Sequence, residues 1–242
     1  MSGFADSPLG TLAPYLDALQ SPPLVGDYCQ NAGLTALGET LLRELMLRGM
    51  IVEVDHLPRR SIQRAYEILT ENDYPPAATH GNVMNGQVYD LRGISITGLG
   101  RCSDPSRPGA MGDGLRDRIA LIRAHGGYPA EGFGFDLNGF AHAPGPRFGP
   151  HGVCGATPQQ HLIHDPFPSY AGDVMLTQPH LGVRTVDFDT EGMLHIGLMP
   201  ELIEDARRDG VTDAELEPLF RSAEAYLRMW ERAEERGAAL RP

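Results

Sequence analysis

The chain has 242 residues, enough for one domain with an appendage and for a sizeable buried core. Its 32 acidic residues outnumber 20 basic ones for a net charge of −12, which argues against the basic face that a nucleic-acid binder needs. No apolar run approaches the ~20 residues that span a bilayer. The N-terminus lacks the basic and apolar regions of a signal peptide, so a cytoplasmic protein is expected. Cys29, Cys102 and Cys154 are odd in number and far apart, and suggest neither a disulfide framework nor a zinc knuckle.

Residues 1–33 hold Pro8, Pro14, Pro22 and Pro23 and read as irregular, with one short helix at most. Leu34, Leu37, Leu41, Leu42 and Leu45 follow helical spacing, with Thr35 placed to cap the start and Gly49 to close the end. Strand 50–55 follows. Ile62, Ala65, Tyr66 and Leu69 mark a second helix, ending before Pro75, and strand 76–80 comes next. Ile94–Thr97 is a third strand. After a loop over 98–112, Asp113 opens a helix with Leu115, Ile119 and Ile122, closed by Gly126 and Gly127, and strand 132–136 succeeds it. This alternation predicts an α/β fold with parallel strands.

Beyond Gly139 the pattern changes. Residues 140–172 hold six prolines and four histidines, His142, His151, His161 and His164, whose spacing matches no compact ligand motif. Val183–Phe188 and Met193–Ile196 read as a hairpin, with His195 a packed core histidine. Pro200 opens a short helix ending at Gly210. Thr212–Glu215 is a capping-box pattern that opens a long helix with Leu216, Leu219, Phe220, Ala223, Leu227 and Trp230 on one face. Tyr226, Met229 and Trp230 are expected in the core.

The chemistry concentrates where strands end. Strand 50–55 runs into Asp55 and His56, strand 76–80 ends on His80, and strand 132–136 ends on Asp136. Side chains at the C-terminal ends of barrel strands form active sites. His56 and His80, one βα unit apart, would project into one mouth, where neutral imidazoles can hold a zinc-like metal; capping hydrogen bonds to loops are the plainer alternative. Asp136 could ligate a metal or take a proton from water, or simply cap the following turn. Glu53 and Asp55 could face either side of the sheet. Arg92 and Arg101, after the second and third strands, could bind a substrate carboxylate or form surface ion pairs.

Several of these segments resemble a known family. Gly33-Leu-Thr-Ala-Leu-Gly38, Gly49-Met-Ile-Val-Glu-Val-Asp-His56, Thr79-His80-Gly81 and Gly132-Phe-Gly-Phe-Asp-Leu-Asn-Gly139 are similar to the second half of membrane (renal-type) dipeptidases, metal-dependent TIM barrels of the amidohydrolase superfamily. His195-Ile-Gly-Leu-Met-Pro200 and Ser222-Ala-Glu-Ala-Tyr-Leu-Arg-Met-Trp230 look like a bacterial dipeptidase-like branch with an extended C-terminus. The resemblance covers roughly residues 30–232. It implies His56 and His80 as metal ligands, Asp136 as the residue handling the proton of the attacking water, and Arg92 or Arg101 as the holder of the substrate carboxylate.

This chain departs from the family in one respect. The family carries a His-x-Asp or His-x-His pair on the first barrel strand and a bridging Glu on a middle strand, and residues 1–49 hold no counterpart. The expectation is therefore a partial (β/α) TIM-type barrel of about four to five C-terminal βα units over residues 34–139. A loop-rich extension with a hairpin and a long helix follows over 140–242. The expected function is zinc-dependent, dipeptidase-like amide hydrolysis of a small-molecule or peptide substrate, or part of such an enzyme. The site would be completed by a homo-oligomer or by a complementing N-terminal chain. A degenerate, non-catalytic binding module is the alternative, and the isolated chain is expected to show little activity. No nucleic-acid or membrane partner is expected.

Overall fold

The computed structural model describes residues 33–81, 83–137, 144–155 and 163–242. The irregular N-terminal segment, Cys29, His142 and His161 lie outside the described residues. The chain divides into two compact units. One combines residues 30–98, 113–134 and 214–242 and contains the parallel sheet; the other includes residues 99–112 and 135–213.

The sheet unit begins with α1, Ala36–Leu47, whose first turn is capped by Thr35, its hydroxyl accepting from the Gly38 N–H at 3.1 Å. The helix ends as the sequence predicts. Gly49 takes φ +67° and the Met50 N–H returns to the Leu45 carbonyl, a closure that glycine makes without steric cost. Then follow β1 (Val52–Glu53), α2 (Arg59–Glu71), β2 (Pro76–Ala78), the short α3 (Gln87–Asp90), β3 (Ile94–Thr97), α4 (Asp113–Ala124) and β4 (Gly132–Phe133). The strands pair in sequence order and in parallel, β1-β2-β3-β4.

Register fixes the faces of this sheet. Glu53 stands beside Ala77, Ala77 beside Ile94, and Ile96 beside Gly132, so these five residues share one face. Ala77 and Ile94 form a buried cluster with Ala130, Ala225 and Met229, so the C-terminal helix packs on this face. Ser95 points the other way and hydrogen-bonds to Arg118 of α4, which marks the face that α4 covers. A parallel sheet covered on both sides buries its apolar strands; here β2 is buried throughout, while the second half of β3 and all of β4 are half-buried.

The C-terminal helix corrects the expected apolar stripe. The chain forms α7 (Asp213–Phe220) and, after a break at Arg221, α8 (Ser222–Leu240). The break resets the helical phase. Leu216 and Leu219 are buried in α7, but α8 buries Ala225, Met229, Ala233 and Gly237, spaced by four. Phe220, Tyr226, Leu227 and Trp230 stay exposed. Small residues are needed because α8 lies close to α1: a Cβ at Gly237 would come within 2.7 Å of the Met46 carbonyl oxygen.

In the other unit the expected hairpin over 183–196 does not form. Two small antiparallel pairs are present instead, β5 (Phe167–Pro168) with β6 (Met175–Leu176) and β7 (His180–Leu181) with β8 (Arg184–Thr185). Phe188–Glu191 is a helical turn, α5, because the Asp187 carboxylate accepts from the N–H groups of Asp189 and Thr190 and so favours a helix start over a strand. His195 caps the next 3₁₀ turn, its Nδ1 accepting from the Gly197 N–H. α6, Met199–Asp209, carries Pro200 in its first turn and closes on Gly210 as expected. Cys102 and Cys154 form a disulfide, correcting the expectation of none; a 52-residue separation in sequence says nothing about proximity in space.

Candidate functional site

His56 and His80 meet. Each follows the C-terminal end of its strand, β1 or β2, and parallel pairing brings the two ends side by side. The imidazole centroids are 4.3 Å apart, edge to face, and both side chains are exposed. Two carboxylates hold this arrangement. Glu53 accepts from the Asp55 N–H at 2.9 Å and from the Thr79 hydroxyl at 2.7 Å, tying the end of β1 to the end of β2. Asp55, nearly buried, accepts from the His80 N–H at 2.5 Å. The register places Glu53 on the Ala77 and Ile94 face, a question the sequence leaves open.

His56 sits at φ +67°, in the left-handed region where a non-glycine residue is strained. Below the strand ends the phenol of Tyr66 is buried without a hydrogen-bond partner among the described residues. Its pKa is pushed up by burial first and then by the neighbouring charges of Asp55 and Glu53.

Asp136 follows β4, exposed, at φ +50°, and belongs with Arg101 to the unit that lacks the sheet. The backbone carbonyl of Arg101 accepts from Arg147 at 3.2 Å, next to the disulfide. Arg92 lies at the opposite end of the sheet from the histidines. The short helix α3 carries the chain back to the N-terminal end of β3, so Arg92 precedes Ile94 and does not join a strand-end site. His151 and His164, in the proline-rich loop, are exposed. Among the described residues no group of three or more His, Cys, Asp or Glu side chains is placed to hold a metal ion.

Two buried ionisable networks escaped the sequence. Glu131, just before β4, is fully buried, accepts from the Tyr89 hydroxyl at 2.8 Å, and is pushed up to about 7 by desolvation despite the nearby Arg118. In the other unit Arg147 is buried against Asp205, with Asp189 close by. Asp205 is likewise raised by burial to about 7, its ion pair with Arg147 notwithstanding. An acidic residue at the mouth of an apolar strand was the available signal for Glu131; Asp205 lies on a helix rich in charge and carries none.

Comparison with protein-family models, with curated proteins and with solved structures gave no match in any of the three.

Proposed function

We propose that the chain is the C-terminal part of a metal-dependent, dipeptidase-like amide hydrolase, a segment of a (β/α) barrel in which His56 and His80 hold a divalent metal. The carrying observation is the pair of imidazoles 4.3 Å apart on neighbouring parallel strand ends. Neutral imidazole suits zinc in kind, while two nitrogens fall short of the four ligands of a zinc site, so further ligands beyond the two imidazoles are needed. A complementing chain or a second copy of this one is the expected source. Zinc held there would supply Lewis acidity for cleaving the amide of a small peptide. The chain's own residues provide placement: Glu53 locks the two strand ends together, and Asp55 fixes the backbone that carries His80.

A second function, a non-catalytic binding module, is favoured by one feature. Glu53 and Asp55, the nearest carboxylates, are already engaged in hydrogen bonds between the strand ends. The Cys102–Cys154 disulfide favours an oxidising compartment over the expected cytoplasmic one, and among the described residues no helix is long and apolar enough to cross a membrane.

Zinc affinity, measured by competition with a chromophoric chelator, is expected to be modest in the wild-type chain and lost in His80→Ala. Equal affinity in both would overturn the metal role. Dipeptide hydrolysis with added zinc, read against mass by light scattering, separates the two functions. Zinc-dependent turnover in any assembly state supports the hydrolase, with little expected from the monomer, and none in any state supports the binding module.

A further inference from the structure

A cavity of about 490 Å³ opens at the N-terminal end of the parallel sheet, away from the two histidines. One wall is the entry to β3 at Arg92 and Gly93 with the turn that carries Tyr128; the other is α8, through Ala225, Arg228 and Glu231. Most of its charges are satisfied internally. Arg228 is bound by Glu224 at 2.7 Å and lies 4.3 Å above the Tyr128 ring, and Arg232 is held by Asp73 and Glu235. Arg92 and Glu231 are left over, an exposed cation and an exposed anion that both line the cavity, with no partner for either side chain among the described residues.

Arg92 is also set rigidly. It occupies the left-handed position after α3, φ +60°, which glycine usually fills, and its N–H bonds to the Tyr89 carbonyl at 2.9 Å. The next residue cannot vary, because a Cβ at Gly93 would lie 2.2 Å from the Pro76 carbonyl oxygen. The stem of Arg92 therefore leaves a fixed backbone beside the cavity.

We propose that this cavity binds a small zwitterion, a free α-amino acid with an apolar side chain. Its carboxylate pairs with Arg92 and its ammonium with Glu231, while the side chain packs on Tyr128 and Ala225. A simple anion paired with Arg92 would be repelled by Glu231, and a simple cation paired with Glu231 would be repelled by Arg92, so the two opposite charges select a ligand that carries both. This site is independent of the metal function and lies at the other end of the strands.

Calorimetric titration with L-phenylalanine tests it, with N-acetyl-L-phenylalanine and L-phenylalaninamide as probes that each lack one charge. Saturable binding of L-phenylalanine is expected. It should weaken at least tenfold for either blocked probe on the wild-type protein and for L-phenylalanine on Arg92→Met or Glu231→Gln. His56→Gly should leave it unchanged. No binding to the wild type, equal binding of N-acetyl-L-phenylalanine, or unchanged affinity in either charge variant would overturn the proposal. Loss of binding in a folded His56→Gly variant would also do so, by placing the ligand at the strand ends. The two blocked probes act on unaltered protein, so a variant that misfolds does not remove the test.

Discussion

At the residue scale, His56 is the most exposed to a clean experiment. Its left-handed backbone costs a non-glycine residue on the order of 1 kcal/mol, and its exposed ring contributes little to the core. His56→Gly is therefore expected to abolish zinc binding while leaving urea stability unchanged or slightly raised. A loss above about 1 kcal/mol, the scale of a cap or loop hydrogen bond, would mean that the ring is structural.

Glu131 gives a pH signature of opposite character. Burial raises its pKa from 4.5 to about 7. Below 4.5 the group is protonated folded and unfolded, and no penalty exists. As pH rises, the unfolded chain ionises first, so stability falls until the folded group also ionises near 7, a loss of at most about 3 kcal/mol. Glu131→Gln should remove that decline. Denaturation midpoints of variant and wild type are expected to diverge in the variant's favour between pH 4.5 and 7.5, and parallel curves would contradict a buried, raised carboxyl.

At the element scale, α8 shows how a helix can be legible while its face is not. The capping pattern and the apolar content mark a helical C-terminal segment from Asp213, yet the break at Arg221 starts α8 afresh and rotates the buried side onto Ala225, Met229 and Ala233. The substitution that should hurt is thus Met229→Ala, which empties a fully buried position against Ala77 and Ile94 and is expected to cost 2–5 kcal/mol, roughly the range for large-to-small core changes. Trp230→Ala, the change that the expected stripe would rank highest, should cost less than about 1 kcal/mol, because Trp230 is 45% exposed. Far-UV circular dichroism in urea ranks the two, and the reverse order would restore the sequence-based face. The parallel strands were readable for a different reason. Short β-branched or small apolar runs between amphipathic helices admit few other arrangements.

At the scale of the whole molecule, the unit without the sheet rests on cross-links that local patterns do not encode. Arg147 is buried with Asp205 and Asp189, and removing one partner of a buried ion pair leaves an uncompensated charge. Arg147→Met is expected to destabilise this unit by about 3–5 kcal/mol. The loss should be larger at pH 8 than at pH 6, since Asp205 titrates near 7. Reducing the Cys102–Cys154 disulfide frees a 52-residue loop, worth about 4 kcal/mol in the chain-entropy account. Amide exchange within residues 144–155 and 199–209 reads both effects, and protection unchanged by either treatment would show that the unit does not depend on them.

The sequence by itself determined the α/β class, the order of the four strands with helices α1, α2 and α4, and the two histidines at strand ends. Those properties follow from nearest neighbours, helical period and strand alternation. Only the tertiary structure decided the rest: that His56 and His80 touch, that Arg92 lies at the far end of the sheet, that Cys102 meets Cys154, and which side of α8 is buried. Each of these is a contact between residues distant in sequence, and such contacts are set by strand register, chain reversal and helix phase. A reversal as short as α3, or a single break at Arg221, changes them without altering the local pattern.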